Sequence, residues 1–286
     1  MKKLLLQFDT DPRPSVFDTV VAYDGGCDHV IGHGGLTPEN IDTLIDGAIF
    51  TRAPKDKKNT AIFIGGSNMA AGQALLKAIE KRFFSNFRVS VMLDSNGSNT
   101  TAAAAVARLA SSGTIAGKKA VVLAGTGPVG QRAAVLMARE GAAEVIITSR
   151  QLAQAEKACN DLKVRFGLEL TPAAAADMDA RAKIIEGAHI VFATGASGIE
   201  LLKEEHWRDS PTLELIADSN TTPPLGIGGA DMMDRGTVRH GKIIWGALGF
   251  GNLKLALQRA CIARLFEQND LVLDAEEIFI TAKAMA

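Results

Sequence analysis

The residues with the clearest chemistry are Gly125-Thr126-Gly127-Pro128-Val129-Gly130, a Gly-x-Gly-x-x-Gly spacing directly after the apolar run Val121-Val122-Leu123-Ala124. Between a strand and a helix, the first glycine permits a tight turn and the second lets backbone approach a pyrophosphate. The third lets helix and strand pack closely, with phosphate on the helix N-terminus. The spacing alone is a weak signal, but here strand, motif, helix and second strand follow in order within about thirty residues. Dinucleotide binding is the expected chemistry. An NAD site usually places Asp or Glu at the end of the second strand, about 20 residues on, to accept from the ribose hydroxyls. This chain has Thr148-Ser149-Arg150 there. Without a carboxylate to repel a 2′-phosphate, and with the Ser149 hydroxyl and Arg150 guanidinium to bind it, the expected cofactor is NADP rather than NAD. Later strands should bring Thr194, Gly195 and Asn220 to the same crevice as nicotinamide-side contacts, because ligands of open parallel sheets sit outside the strands' carboxyl ends.

The elements that must position these groups alternate. Residues 2–8 read as a strand, and Ser15 with Asp18 opens a helix in the manner of a capping box. Thr37-Pro38-Glu39 predicts another helix start. Strands are expected at 60–66 and 89–93, with an amphipathic helix over 70–84 between them. After the polar stretch 94–101 an alanine-rich helix, 102–110, bridges to a second series. That series holds strands at 119–124, 144–148, 189–193 and 213–218, with helices at 128–140 and 152–165. Strand and helix alternation specifies parallel βα units, hence an α/β fold in two domains. The expected division is a small parallel α/β domain over 1–101, a Rossmann NADP-binding domain over 102–251, and C-terminal helices over 252–286 that pack back on the first domain.

Composition narrows the class. The 286 residues exceed one usual core; 47% are apolar, and 31 basic against 32 acidic residues leave a net charge of -1. That balance asks for no nucleic-acid partner, and no apolar run approaches the ~18 residues of a membrane span. Cys27, Cys159 and Cys261 are too scattered for a disulfide framework, so a reducing, cytoplasmic setting is expected. Cys27-Asp28-His29 with His33 matches no standard metal spacing, and no metal is expected. The single tyrosine, Tyr23, has Cys27 where a Tyr-x-x-x-Lys pair needs lysine, which argues against short-chain alcohol dehydrogenase chemistry.

Several segments are distinctive beyond the glycine motif. They are Gln7-Phe8-Asp9-Thr10-Asp11, Pro14-Ser15-Val16-Phe17-Asp18, Tyr23-Asp24-Gly25-Gly26 and Met92 through Thr101. To these add Pro223 through Gly229, Gly246-Ala247-Leu248-Gly249 with Lys254, and Arg259 through Ala263. Together they closely resemble the NADP-dependent methylene-tetrahydromethanopterin dehydrogenases, from residue 3 to the C-terminus. The resemblance implies oxidation of a methylene group carried by tetrahydromethanopterin, often also by tetrahydrofolate, to the methenyl form, in an intracellular homo-oligomer. It places Asp18, Asp24 and Asp94 near the substrate and gives Lys254 a substrate-polarising role. Phe17, Asn96, Ser98 and Thr101 join them as substrate-side residues. Plainer roles stay open: a capping box for Asp18, a turn for Asp94, a core contact for Phe17, a solvated first-turn lysine for Lys254. Two rival functions also remain, a shikimate-dehydrogenase-like oxidoreductase and a non-catalytic NADP sensor. Asn99-Thr100-Thr101 only faintly resembles the Asn-Thr-Asp element of the former.

Overall fold

The computed structural model describes residues 1–286. The first elements are β1 (Leu4–Asp9), α1 (Val16–Asp24), β2 (His29–His33), α2 (Asp42–Phe50), β3 (Thr60–Gly65), α3 (Met69–Arg82), β4 (Ser90–Leu93) and α4 (Ser98–Ser112). There follow β5 (Lys119–Leu123), α5 (Pro128–Arg139), β6 (Glu144–Ser149), α6 (Leu152–Phe166), β7 (Thr171–Ala174), α7 (Met178–Ile184), β8 (Ile190–Ala193) and β9 (Leu215–Asp218). The chain closes with β10 (Arg235–Arg239), β11 (Lys242–Trp245), α8 (Ala247–Arg264), β12 (Val272–Leu273) and α9 (Ala275–Met285). Apart from the last few residues these form two compact units, Met1–Thr100 with Leu255–Thr281, and Thr101–Lys254.

The first unit is a five-stranded sheet in the order β12-β4-β3-β1-β2, parallel throughout. β3 and β4 are buried at every position, as strands covered on both faces must be, which is why they read as unbroken apolar runs. Phe8, Ile62, Ile64, Val91 and Leu93 meet Ile45, Ile49, Leu75 and Ile79 of the flanking helices in one core. The chain leaves β1 toward β2 on one side and returns as β3 on the other, so the order reverses at β1. The second unit has seven strands in the order β10-β11-β9-β8-β5-β6-β7, parallel except for the β10–β11 hairpin. Its order reverses at β5, between β6 and β8. Val121, Leu123, Val191, Ile216, Ile244 and the fully buried Trp207 form its core.

Three expectations about elements are corrected. Thr37-Pro38-Glu39 makes a turn, because the Thr37 N–H bonds Asn40 Oδ1 at 2.9 Å and the Glu39 N–H bonds Thr37 Oγ1 at 3.3 Å; α2 begins only at Asp42. The bridging helix starts at Ser98, so half of the polar stretch is its first turn. The first C-terminal helix begins at Ala247 rather than 252. Gly249 and Gly251 lie inside α8, and Gly246 immediately precedes it. A Cβ on Gly246 would collide with the Asp231 carbonyl, and one on Gly249 with that of Asp234, so these two glycines let the helix start lie against the 231–234 backbone. Lys254 therefore sits two turns into a helix.

Candidate active site

In the second unit, β5 delivers the glycine loop to the point where strand order reverses, the position at which doubly wound sheets hold ligands. The loop is tied to the end of β6: Ala124 N–H donates to Thr148 Oγ1 and Gly125 N–H to the Thr148 carbonyl, both at 2.9 Å. Gly127 is the N-cap of α5, with no side chain to satisfy the first-turn N–H groups, and Pro128 takes the first helical position, where a missing N–H costs nothing. Gln131 Nε2 fixes the loop by donating to the Thr126 carbonyl at 2.6 Å. The glycines then separate by role. A Cβ on Gly130 would stand 2.6 Å from both Gly125 Cα and Thr194 Oγ1, so this residue exists for packing. One on Gly127 would meet nothing within 4 Å, so the space before the helix N-terminus is open to a phosphate group.

Beside the loop lies a cavity of about 420 Å³, lined by Thr126, Ser149, Arg150, Arg181, Gly195 and Leu201 among others, a size suited to a small-molecule ligand. No carboxylate lines it. The open helix N-terminus and two guanidinium groups fit a phosphorylated nucleotide: Gly125 through Gly130 would hold the pyrophosphate, and Ser149 and Arg150 a ribose phosphate. Arg181, on the short α7, carries no sequence signal. Thr194 is half-buried and donates to the Leu123 carbonyl at 3.0 Å, linking the ends of β8 and β5. Asn220, expected on the nicotinamide side, is engaged within its own loop. Its buried amide donates to the Ala196 and Pro224 carbonyls at 3.5 and 3.4 Å and accepts from Thr222 N–H at 2.9 Å, which holds its own loop. Asp218 anchors that loop, accepting from the N–H groups of Asn220 at 2.9 Å and Ile227 at 2.8 Å. Burial pushes its carboxyl up to about 6, against the lowering effect of the Asn220, Ile227 and Gly226 N–H groups.

In the first unit the reversal at β1 gathers acids at the strands' carboxyl ends. Asp9 closes β1, accepting from Asp11 N–H at 2.8 Å and Ser15 N–H at 3.1 Å. Burial raises it above the usual carboxylate range against those two bonds, and the charges of Asp11 and Asp18 add to the rise. Asp18 is tied both to the helix cap and to a buried amide. Its N–H donates to Ser15 Oγ at 3.2 Å, while its carboxylate accepts from Nε2 of the fully buried Gln258 at 2.8 Å. A Cβ at Gly65 would lie 3.1 Å from Asp9 Oδ2 and 3.6 Å from Asp18 Oδ2, so this glycine leaves room beside both acids. Phe17 is 51% exposed and presents its ring outward.

Asp94, expected near the substrate, is held by the start of α4. It is fully buried and accepts from Asn99 N–H at 2.9 Å, Thr100 N–H at 3.0 Å and Thr100 Oγ1 at 2.6 Å, so its carboxylate holds the first turn of α4. Ser98 is likewise internal, donating to the Ser95 carbonyl at 2.7 Å, and Asn99 bridges to Asp274 at 2.9 Å. This network presents Asn96, exposed with φ +56°, in the turn before α4; Thr101, within α4, is half-buried. Asp24 forms a surface pair with Arg259 at 2.8 Å. Lys254 is half-buried on α8, four residues before Gln258 and so on the same helix face. Cys27, Asp28, His29 and His33 do not converge: Asp28 accepts from Lys3 N–H, His29 meets Lys2, and burial pushes the Cys27 thiol up to about 12. No group of three or more His, Cys, Asp or Glu side chains is disposed to hold a metal ion.

Two α/β units, one with a glycine loop at its reversal point, define the class of two-domain Rossmann-like folds. Shikimate 5-dehydrogenase from Listeria monocytogenes shares the fold, with a TM-score of 0.53 at 14% identity over 100% of this chain and 96% of that one. Residues 16–96 match the methylene-tetrahydromethanopterin dehydrogenase N-terminal family. Two proteins of Methylorubrum extorquens are similar along nearly their whole lengths. The bifunctional protein MdtA is 56% identical over 100% of this chain and 99% of its own. The NAD(P)-dependent methylenetetrahydromethanopterin dehydrogenase is 31% identical over 95% of each. The chain belongs to the methylene-tetrahydromethanopterin dehydrogenase family.

Proposed function

We propose that this protein oxidises the methylene group of methylene-tetrahydromethanopterin, and of methylene-tetrahydrofolate, to the methenyl form with NADP as acceptor. The observation that carries the cofactor assignment is the open helix N-terminus at Gly127 beside a carboxylate-free cavity bearing Arg150. A carbon bridging two amine nitrogens loses hydride as its C–H bond breaks; both electrons leave with the hydrogen, and the amidinium cation that remains is stabilised by the two nitrogens. No proton moves, so no general base is required. NADP, when bound, supplies the carbon that accepts the hydride. What this chain's residues contribute is binding, orientation and exclusion of water from the reactive cation.

Asp18, held by Gln258, provides negative charge and accepting oxygens for the amino and ring N–H donors of a pterin. Phe17 offers an exposed ring for the pterin face. Lys254 near the reacting carbon would oppose the amidinium, so its benefit lies in aiming at a substrate oxygen or holding a carboxylate. Asp94 acts by fixing the turn that carries Asn96, and Asn220 by fixing the loop after β9. The free, buried cysteines favour a reducing, cytoplasmic setting, and we infer a homo-oligomer. No helix is long and apolar enough to cross a membrane.

Steady-state oxidation with each methylene carrier tests this reading: reduction of NADP with one or both supports it, and none with either contradicts it. In the same assay Lys254→Ala should lower kcat/KM for the carrier about tenfold or more, at ~1.4 kcal/mol per decade, with NADP affinity nearly unchanged. Intact turnover, or a loss confined to NADP binding, would remove Lys254 from the substrate side.

A further inference from the structure

The cavity beside the glycine loop holds two guanidinium groups that come from different parts of the unit. Arg150 follows β6, and Arg181 lies on α7. The Arg181 head is oriented by backbone: it donates to the Leu201 and Ala176 carbonyls, each at 3.3 Å. A planar guanidinium has five N–H donors in a fixed fork, so these two bonds set its plane and leave others for a ligand. Burial lowers its pKa, Asp177 opposes that, and the like charge of Arg150 lowers it further. Two cations facing one cavity repel each other unless an anion lies between them, and no carboxylate of this chain lines that cavity. The cluster therefore favours a doubly charged group over a hydroxyl pair.

We infer that Arg181 is a second specificity-determining residue for the cofactor, which together with Arg150 clamps the ribose 2′-phosphate of NADP. The inference rests on the NADP assignment above and adds to it a residue from outside the usual loop after the second strand. Arg150 is exposed and free to follow its ligand, whereas Arg181 is half-buried and fixed by two carbonyls. Arg181 thus supplies the preorganised half of the clamp, and its removal should cost phosphate recognition more than nucleotide binding in general.

Calorimetric titration of the full-length protein with 2′,5′-ADP and with 5′-AMP tests this without turnover. Arg181→Gln keeps an N–H donor for the carbonyls and removes the charge; Arg181→Lys keeps the charge and loses the fork. Arg181→Gln should weaken 2′,5′-ADP roughly 10- to 150-fold, the range of a charged hydrogen bond, with 5′-AMP changed less than about twofold. Arg181→Lys should recover part of the loss. Equal weakening of both nucleotides would make Arg181 a support for the Leu201 and Ala176 backbone, and unchanged discrimination would place it off the phosphate; either result overturns the inference alone. A wild-type protein that binds the two nucleotides alike would overturn the NADP assignment and this inference with it.

Discussion

At Gly127 the backbone is ordinary, with φ -75° and ψ 170°, and the space around a Cβ is empty. Nothing in the folded chain needs a glycine there, and under the proposed function the need comes from a ligand. Gly127→Val should therefore fold with near-normal thermal stability and lose NADP binding in titration; a folded variant that binds normally would contradict the pyrophosphate assignment. Gly130 is the contrasting case, since its neighbours at 2.6 Å are backbone and the Thr194 hydroxyl. Arg150→Ala should reduce NADP affinity roughly 10- to 150-fold, measured by calorimetry, with NAD nearly unaffected, because only the phosphate ligand loses a charge-assisted bond. Equal losses for both cofactors would refute the 2′-phosphate role. The glycine motif is legible in sequence because each position carries a distinct steric demand. The bonding of Asp94 is not, because a carboxylate before a helix has the same sequence signature as a cap and as a substrate acid, and its three hydrogen bonds to Asn99 and Thr100 appear only in the fold. Arg181 gave no sign because it has no motif around it, and Gln258 because, on a helix that also carries Asn252, Lys254 and Arg259, it resembles a surface position until its burial is known.

Elements buried on both faces were the readable ones. β3, β4 and β8 are buried throughout and mostly apolar, and α5 follows a motif that fixes its start. The short, half-exposed elements β2, β7 and α7 have neither a long period nor a continuous run to announce them. The late pair β10 and β11 is a hairpin added at the sheet edge, and β12 has only two residues. Between β9 and α8, order depends on Asp218, whose carboxyl anchors the 220–227 loop. Its folded pKa, about 6, stands above its ordinary value of 3.8. The native state thus keeps a proton that the unfolded chain releases, so the stability this group contributes is fully present below about pH 4 and is lost as pH rises through about 6. The shift corresponds to about 3 kcal/mol at about 1.36 kcal/mol per unit. Asp218→Asn cannot titrate, and urea unfolding across that window should show a flatter pH profile than the wild type. Matching slopes in the two proteins would place the titration elsewhere.

For the whole molecule, each sheet reverses its strand order once among its parallel strands, and each reversal carries its own groups: acids beside Gly65 in the first unit, a glycine loop and two guanidiniums in the second. The acidic side suits a substrate rich in N–H donors that becomes a cation, and the basic side suits a phosphorylated acceptor. That division of charge is the physical content of the proposed reaction, in which hydride passes straight from the methylene carbon to the nicotinamide with no proton exchanged on the way. The direct test is isotopic. A carrier with a dideuterated methylene group, oxidised by the protein in ordinary water, should yield reduced NADP carrying one deuterium per turnover and methenyl product that keeps the other. Reduced NADP free of deuterium, or label lost to water in step with turnover, would show that the hydrogen travels as a proton and would contradict the account.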